Sequence, residues 1–139
     1  MPEARKSQEE SLLSAIAGFD QAFAEDRGSD VADFFAEDAR LLWPFMEDIV
    51  GRESIREALV HFVSTYTTNS WSPNREIIDI CGRRAYTLAR FIEIRTPREG
   101  GPTEKVHGRM LEIWQLSPDD KWEITRLMTG RYAETEFLE

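Results

Sequence analysis

The amino-acid sequence predicts an α+β fold, in which three N-terminal helices pack on a curved, mainly antiparallel sheet. In the first half of the chain, apolar residues recur at three- and four-residue spacing, the period of amphipathic helices. From residue 74 onward, long segments alternate apolar and polar residues, as half-buried strands do. The connections at 97–102 and 117–120 are short and therefore require antiparallel neighbours. Helices followed by a run of strands are typical of an α+β domain.

The three helices are predicted at 11–27, 31–36 and 55–66. Gly28 ends the first helix, and Ser29 or Asp30 can cap the second. The third helix follows the turn at 51–54. The buried stripes of the two longer helices consist of Leu12, Leu13, Ile16, Phe19, Ala22 and Phe23 in the first and Ile55, Leu59, Phe62, Val63 and Tyr66 in the third.

The strands are predicted at 39–43, 74–80, 84–96, 103–116 and 122–131, with a small hairpin arm at 47–50. Pro44 ends the first strand or marks a sheet edge, because proline cannot donate a ladder hydrogen bond. Residues 67–73 are predicted to form a loop. We expect one domain at 10–131, a flexible N-terminus at 1–9 and a tail at 132–139.

Composition narrows the classes of function. The chain has 139 residues, 41% of them hydrophobic, which is enough for one packed domain. Its net charge of −9 argues against nucleic acid and against anionic membranes, both of which attract basic surfaces. There is one cysteine, no apolar leader segment, and no run of the ~18 apolar residues that a membrane span needs. We therefore expect a cytoplasmic protein.

Two charged residues interrupt the apolar faces of the long strands. Arg90 lies among Tyr86, Leu88, Ile92 and Ile94, and Glu112 lies among Met110, Trp114 and their neighbours. A hairpin centred on Gly101 places Arg90 directly opposite Glu112, at ~5 Å between Cβ atoms, and one centred on Gly100 makes them diagonal neighbours at ~7–8 Å. Because a lone buried charge is costly, the pattern predicts either a buried ion pair that fixes register or a polar spot in an apolar pocket.

Several stretches resemble the NTF2-like superfamily and its SnoaL-like members. Phe35-Ala36-Glu37-Asp38-Ala39 resembles the start of that family's first strand, and Val50-Gly51-Arg52-Glu53-Ser54-Ile55 resembles the start of its third helix. Trp114-Gln115-Leu116 followed by Lys121-Trp122-Glu123-Ile124 resembles its closing hairpin. The resemblance covers about residues 10–131 and implies a cone fold whose helix-facing sheet surface lines a pocket. It says little about function, because one fold hosts many activities.

The resemblance also shows where this chain departs from ketosteroid isomerases. By analogy, the general-base aspartate would fall near Trp43 and the oxyanion tyrosine near Phe19, and neither position carries the needed group. Only the protonated-carboxyl position has a counterpart, Glu112. If the site is catalytic, Glu112 is the expected acid or base, and Arg90 would hold a carboxylate or enolate oxygen.

The remaining candidates are ligand-binding residues. Pockets combine apolar walls with a few polar groups, and the expected lining comprises Trp43, Tyr86, Met110, Trp114 and Asp20. Each of these also has a structural interpretation, as core packing for the large side chains and as a solvated edge residue for Asp20. His61 and His107 are predicted to lie at the surface, and no ligand spacing for a metal is present.

The pattern of the outer sheet face predicts a partner. Leu111 and Ile113 point outward from their strand, and Phe91 is expected on the outer face of its neighbour. We expect a homodimer through this face, as is common in the family. The last strand is ambiguous, since its even residues look apolar while the resemblance favours Leu127 inside, and a bulge could reconcile the two.

The predicted function is binding of a small organic ligand, with cofactor-independent isomerase, dehydratase or hydrolase chemistry on a polyketide- or steroid-like substrate. The alternative is a non-catalytic ligand-binding or assembly module.

Overall fold

A computed structural model describes residues 2–138 and contains three helices and seven strands. The helices are α1 (Pro2–Ala24), α2 (Gly28–Ala32) and α3 (Arg52–Thr65). The strands are β1 (Phe35–Leu42), β2 (Ile49–Val50), β3 (Tyr66–Cys81), β4 (Arg84–Pro97), β5 (Thr103–Leu116), β6 (Trp122–Arg131) and β7 (Glu136–Leu138).

All seven strands belong to one sheet, and its order places the long strands side by side. The order is β2-β1-β6-β5-β4-β3, and β7 pairs with the start of β5. Only β1 and β6 run parallel, while the other pairs are antiparallel. This architecture confirms the predicted α+β cone with its mainly antiparallel sheet.

Several element boundaries differ from the prediction. The predicted loop 67–73 belongs to β3, which pairs with β4 from Tyr66 opposite Pro97 to Cys81 opposite Arg84. Pro73 is tolerated there because β3 is an edge strand. The second helix ends at Ala32, and β1 already begins at Phe35. Helix α1 starts at Pro2, and β7 forms inside the predicted tail, whereas the flexibility of 1–9 stays a prediction.

The strand β4 presents the opposite face from the one predicted. Its buried residues are Ala85, Thr87, Ala89, Phe91, Glu93 and Arg95. The hairpin turns between Glu99 and Gly100, so Arg95 pairs with Glu104 and Thr87 lies opposite Glu112. A one-residue change of register moves every side chain to the other face. The expected inward orientation of Arg90 and Tyr86, and the outward one of Phe91, are therefore wrong.

Strand β6 contains the bulge that reconciles its two patterns. Trp122 and Ile124 are buried, the register then shifts, and Leu127 is buried beyond the shift. Arg126 is exposed on the outer face. The bulge changes the inward parity from even to odd, and Thr129 and the exposed Arg131 beyond it line the cavity.

The core lies between the helices and the inner sheet face. Phe19 of α1 packs edge-on against Phe35 and Trp114, with ring centroids 6.3 Å apart in each case. Gly108 leaves room for the ring of Phe91, since a Cβ there would lie 2.0 Å from that ring. Phe91 is consequently free to pack on Trp71, with the ring centroids 4.9 Å apart and the ring planes tilted by 45°.

Candidate functional site

A cavity of about 270 Å³ lies between the helices and the inner sheet face. Its wall is mostly aromatic and aliphatic, as expected for a small-molecule site. The lining residues include Phe19, Phe23, Phe35, Trp43, Met46, Phe62, Tyr66, Trp71, Phe91, Met110 and Leu127. Glu93, Arg95, Thr129 and Arg131 supply its main polar groups.

Glu93 is the buried carboxylate of this cavity. The residue is 5% exposed, and its Oε2 makes no hydrogen bond to any described residue. Its other oxygen, Oε1, lies 3.5 Å from Nη1 of Arg95. Burial raises the pKa of Glu93 from 4.5 to about 7, although Arg95 and Arg131 lower it and Glu104 and Asp26 raise it to smaller extents. A carboxyl with such a pKa can accept and return a proton near neutral pH.

Arg95 is fixed beside Glu93 by contacts on several sides. Its Nε donates to Oε1 of Glu104 at 3.1 Å, and its Nη2 lies 3.1 Å from the same oxygen. The guanidinium also lies over the ring of Tyr66, 4.2 Å from the centroid, and is 5.6 Å from that of Phe62. Arg95 therefore holds Glu93 in position, while Glu104 compensates the charge of Arg95.

The rim of the cavity combines the β1–β2 loop with the end of β6. Trp43 and Met46 of the loop line the cavity, and Phe45 between them is 92% exposed with a φ of +66°. Positive φ is strained for a bulky aromatic residue. The guanidinium of Arg131 lies 5.9 Å from the ring centroid of Phe45, and its Nη1 donates to Oγ1 of Thr135 at 3.1 Å.

A second polar cluster lies deeper, outside the residues that line the cavity. Arg75 of β3 donates through Nη1 and Nη2 to Asp20, at 2.6 and 3.0 Å, and through Nε and Nη2 to Glu112, at 3.0 Å each. Oε1 of Glu112 also accepts from Oγ1 of Thr87 at 2.6 Å and from Nε1 of Trp114 at 3.2 Å.

The hydrogen bonds within the deep cluster engage its buried charged groups. Glu112 is fully buried, and the side chain of Arg75 is 7% exposed. Burial alone would lower the pKa of Arg75, but its hydrogen bonds to Glu112 and Asp20 raise it above the ordinary value. Because both oxygens of Glu112 are engaged, neither is free to accept a substrate proton, and we interpret the cluster as structural.

The predicted site residues separate into three groups. Trp43 and Met110 line the cavity. Asp20, Glu112 and Trp114 belong to the deep cluster. Arg90 and Tyr86 lie on the outer face, where the side chain of Arg90 is 58% exposed and 3.4 Å from Glu76, so the predicted pair of Arg90 with Glu112 is wrong.

Glu93, Arg95 and Arg131 of the cavity were not among the predicted site residues. The first two share the face of Thr87, and a hairpin register centred between Glu99 and Gly100 would have found them. Arg131 faces the cavity only because of the bulge in β6, which the sequence indicates but does not locate.

Other kinds of site are not evident in residues 2–138. No group of three or more His, Cys, Asp or Glu side chains in this part could hold a metal ion. None of its helices combines the length and hydropathy needed to cross a bilayer. His61 is exposed, and His107 is partly exposed with its Nε2 2.6 Å from Glu136, consistent with their predicted surface positions.

Comparison with known proteins identifies the family. A family model described as a SnoaL-like domain matches residues 16–128. No curated protein is significantly similar to the chain in sequence.

Solved structures share the whole fold at low identity. A ketosteroid isomerase-like protein from Erwinia carotovora atroseptica is 15% identical, with a TM-score of 0.81 over 90% of this chain and 96% of that one. An NTF2-like superfamily protein from Salmonella enterica is 14% identical, with a TM-score of 0.79 over 94% of both chains. A hexachlorocyclohexane dehydrochlorinase is 10% identical, with a TM-score of 0.85 over 100% of this chain and 94% of that one. At these identities the likeness shows the fold alone.

Proposed function

The chain belongs to the SnoaL-like domain family, and we propose that it is a proton-transfer enzyme acting on a small cyclic substrate in its cavity. Glu93 is the proposed acid–base residue, and one observation carries the proposal. It is a buried carboxyl in an apolar cavity, with one oxygen free of hydrogen bonds to described residues and a pKa raised to about 7. Catalytic carboxylates are tuned in this way by burial.

The proposed step begins with ionised Glu93. Its Oε2 takes a proton from the carbon that lies between the carbonyl and a C=C bond of the substrate. The electron pair of the broken C–H bond forms a new C=C bond, and the π pair of the carbonyl moves to its oxygen, which gives a dienolate. Protonated Glu93 then returns the proton to the far carbon of the dienolate, so that the carbonyl re-forms and the remaining C=C bond is conjugated with it. Arg95 keeps Oε1 in place during both transfers, so that Oε2 stays directed to the reacting carbon.

The size of the cavity limits the substrate. At ~30 Å³ per water molecule in the liquid, 270 Å³ corresponds to roughly nine waters. This volume suits one or two rings, which the aromatic wall can contact on both faces. A larger polyketide- or steroid-like substrate would extend past the rim at Phe45 and Met46, both of which are exposed.

Exchange of substrate hydrogen tests the proposal without knowledge of the natural reaction. Small cyclic ketones, such as 2-tetralone and cyclohexenones, are incubated with protein in D2O, and loss of their α-proton signals is followed by NMR. We expect faster exchange with the wild type than with buffer, and loss of that effect in Glu93→Gln. The matched control is Glu76→Gln, which removes a half-exposed carboxylate of the outer face.

The same assay separates catalysis from simple binding. If the ketones bind but the wild type accelerates exchange of none of them, or if Glu93→Gln is equally fast, the enzyme proposal is wrong. Binding that is unaffected by Glu93→Gln would then favour the non-catalytic ligand-binding module.

We also propose a homodimer through the outer sheet face. An apolar row crosses this face from Ile77 through Leu88 and Leu111 to Met128, each opposite the next in the strand register. Leu88 is 42% exposed and Met128 47%.

The neighbouring row on the outer face adds charge complementarity. It begins at Asp79, continues through Tyr86 and Ile113, and ends at Arg126. A two-fold axis parallel to the strands would bring Asp79 of one copy opposite the partner's Arg126. Opposite charges at the two ends of one row therefore suit self-association about such an axis.

A further inference from the structure

The rim of the cavity holds a guanidinium that no described carboxylate pairs with. Arg131 forms no salt bridge within residues 2–138. Its guanidinium donates to the hydroxyl of Thr135 and lies over the ring of Phe45. The nearby acid Glu136 is engaged instead by His107 at 2.6 Å. Arg126 also lacks a described carboxylate partner, but it lies on the outer face, whereas Arg131 lines the cavity.

The charged residues around Glu93 come from four parts of the fold, and some of them have a salt-bridge partner while others do not. Arg95 of β4 is matched by Glu104 of β5 at 3.1 Å. Asp26, in the turn after α1, lies 3.7 Å from Arg98. Arg131 of β6 lines the same cavity and has no salt-bridge partner among the described residues, and its charge lowers the pKa of Glu93.

This balance depends on the protonation of Glu93. When Glu93 is ionised, its charge and that of Arg131 offset each other. When it is neutral, Arg131 carries an unpaired positive charge at the exposed rim of the cavity, beside the apolar wall. That state would be stabilised by a ligand that brings one negative charge and an apolar body.

We propose that the cavity takes a small organic anion, an aromatic or alicyclic carboxylate, whose ring lies among the aromatic side chains and whose charge lies against Arg131. This inference rests on the proposed function of the same cavity and names the class of ligand that the cavity binds when Glu93 is neutral, whereas the proposed proton transfer begins with ionised Glu93. Phe23, Trp43 and Trp71 supply flat apolar surface for the ring. The planar guanidinium matches a carboxylate with two parallel hydrogen bonds.

A pair of probes that differ only in charge tests the inference. The probes are 2-naphthoate and 2-naphthamide, and binding is followed at pH 6 by tryptophan fluorescence, since Trp43 and Trp71 line the cavity. We expect the wild type to bind the carboxylate about tenfold more tightly than the amide, as a charge-assisted contact provides. Arg131→Gln should bind both probes equally, Arg131→Lys should keep part of the preference, and the control Arg126→Gln should keep all of it.

The pH dependence provides a second readout. Ionised Glu93 repels the carboxylate, so affinity for 2-naphthoate should fall as the pH rises through about 7 in the wild type. In Glu93→Gln the affinity should stay flat, and amide binding should be flat in both proteins.

Distinct results would overturn the inference and the proposed function. Equal binding of the two probes by the wild type, failure to bind either, or a carboxylate preference that survives in Arg131→Gln would overturn the anion inference. If Glu93-dependent exchange of ketones persists in those cases, the proposed function stands. If the carboxylate preference is found but no ketone exchanges, the anion site stands without the catalytic role.

Discussion

The raised pKa of Glu93 predicts a specific pH dependence of stability. In the unfolded chain the carboxyl titrates near 4.5, and in the folded protein near 7. The folded state therefore binds this proton more tightly, so the contribution of Glu93 to stability is fully present below pH 4.5. It is lost as the pH rises through 7. At 1.36 kcal/mol per pKa unit, the loss amounts to roughly 3 kcal/mol.

Glu93→Gln removes this titration while it keeps the size of the side chain. We expect the free energy of unfolding of Glu93→Gln, minus that of the wild type, to increase by roughly 3 kcal/mol between pH 4.5 and pH 8. Urea unfolding at half-unit pH steps measures the difference, and Glu76→Gln is the exposed control. A difference between Glu93→Gln and wild type that stays constant over this range would refute the reasoning.

Three further substitutions test other parts of the structure. Arg75→Met should destabilise the fold by about 3–5 kcal/mol in urea unfolding, because it leaves the buried carboxylate of Glu112 without its cation. Gly108→Ala should cost about 1–3 kcal/mol in the same assay, since the added Cβ would meet the ring of Phe91. Leu88→Glu should convert the proposed dimer to a monomer in light scattering, because it places a charge in the apolar row.

Each of these substitutions has a matched control. Arg90→Met removes a half-exposed arginine and should change stability by no more than about 0.5 kcal/mol. Gly130→Ala adds a Cβ with nothing within 4 Å, so a cost equal to that of Gly108→Ala would contradict the packing argument. Val60→Glu alters a 47% exposed residue of α3 and should leave the oligomeric state unchanged. A wild type that is already monomeric would contradict the dimer proposal.

The fold could be predicted from the sequence because several local signals agree with it. The amphipathic period of 11–27, the alternation of 103–116 and the short turn at 117–120 each fix one element or connection. The inner face of β5 was also predicted correctly, since Val106, Met110 and Trp114 of its even face are buried.

The candidate site could not be predicted because β4 is apolar on both faces. Its outer residues include Leu88 and Ile92, which look like core residues, while its inner face carries Glu93 and Arg95. Alternation alone cannot distinguish a strand with an apolar outer face from one whose inner face lines a polar cavity. The register of the turn decides between them, and the observed centre lies half a residue from Gly100 and one and a half residues from Gly101, which were the two centres considered.

The two buried carboxylates show why burial alone does not identify a functional acid. Glu112 is the more deeply buried, but its oxygens accept hydrogen bonds from Arg75, Thr87 and Trp114, so neither oxygen is left without a partner. Glu93 has one cation 3.5 Å from Oε1 and no described partner for Oε2. The uncompensated oxygen destabilises the charged form, and Glu93 lines the cavity whereas Glu112 does not. A search for catalytic carboxylates in this fold should therefore look for the missing hydrogen bond toward the cavity, and the sequence pattern that best indicates it is an acid on the same strand face as a nearby arginine.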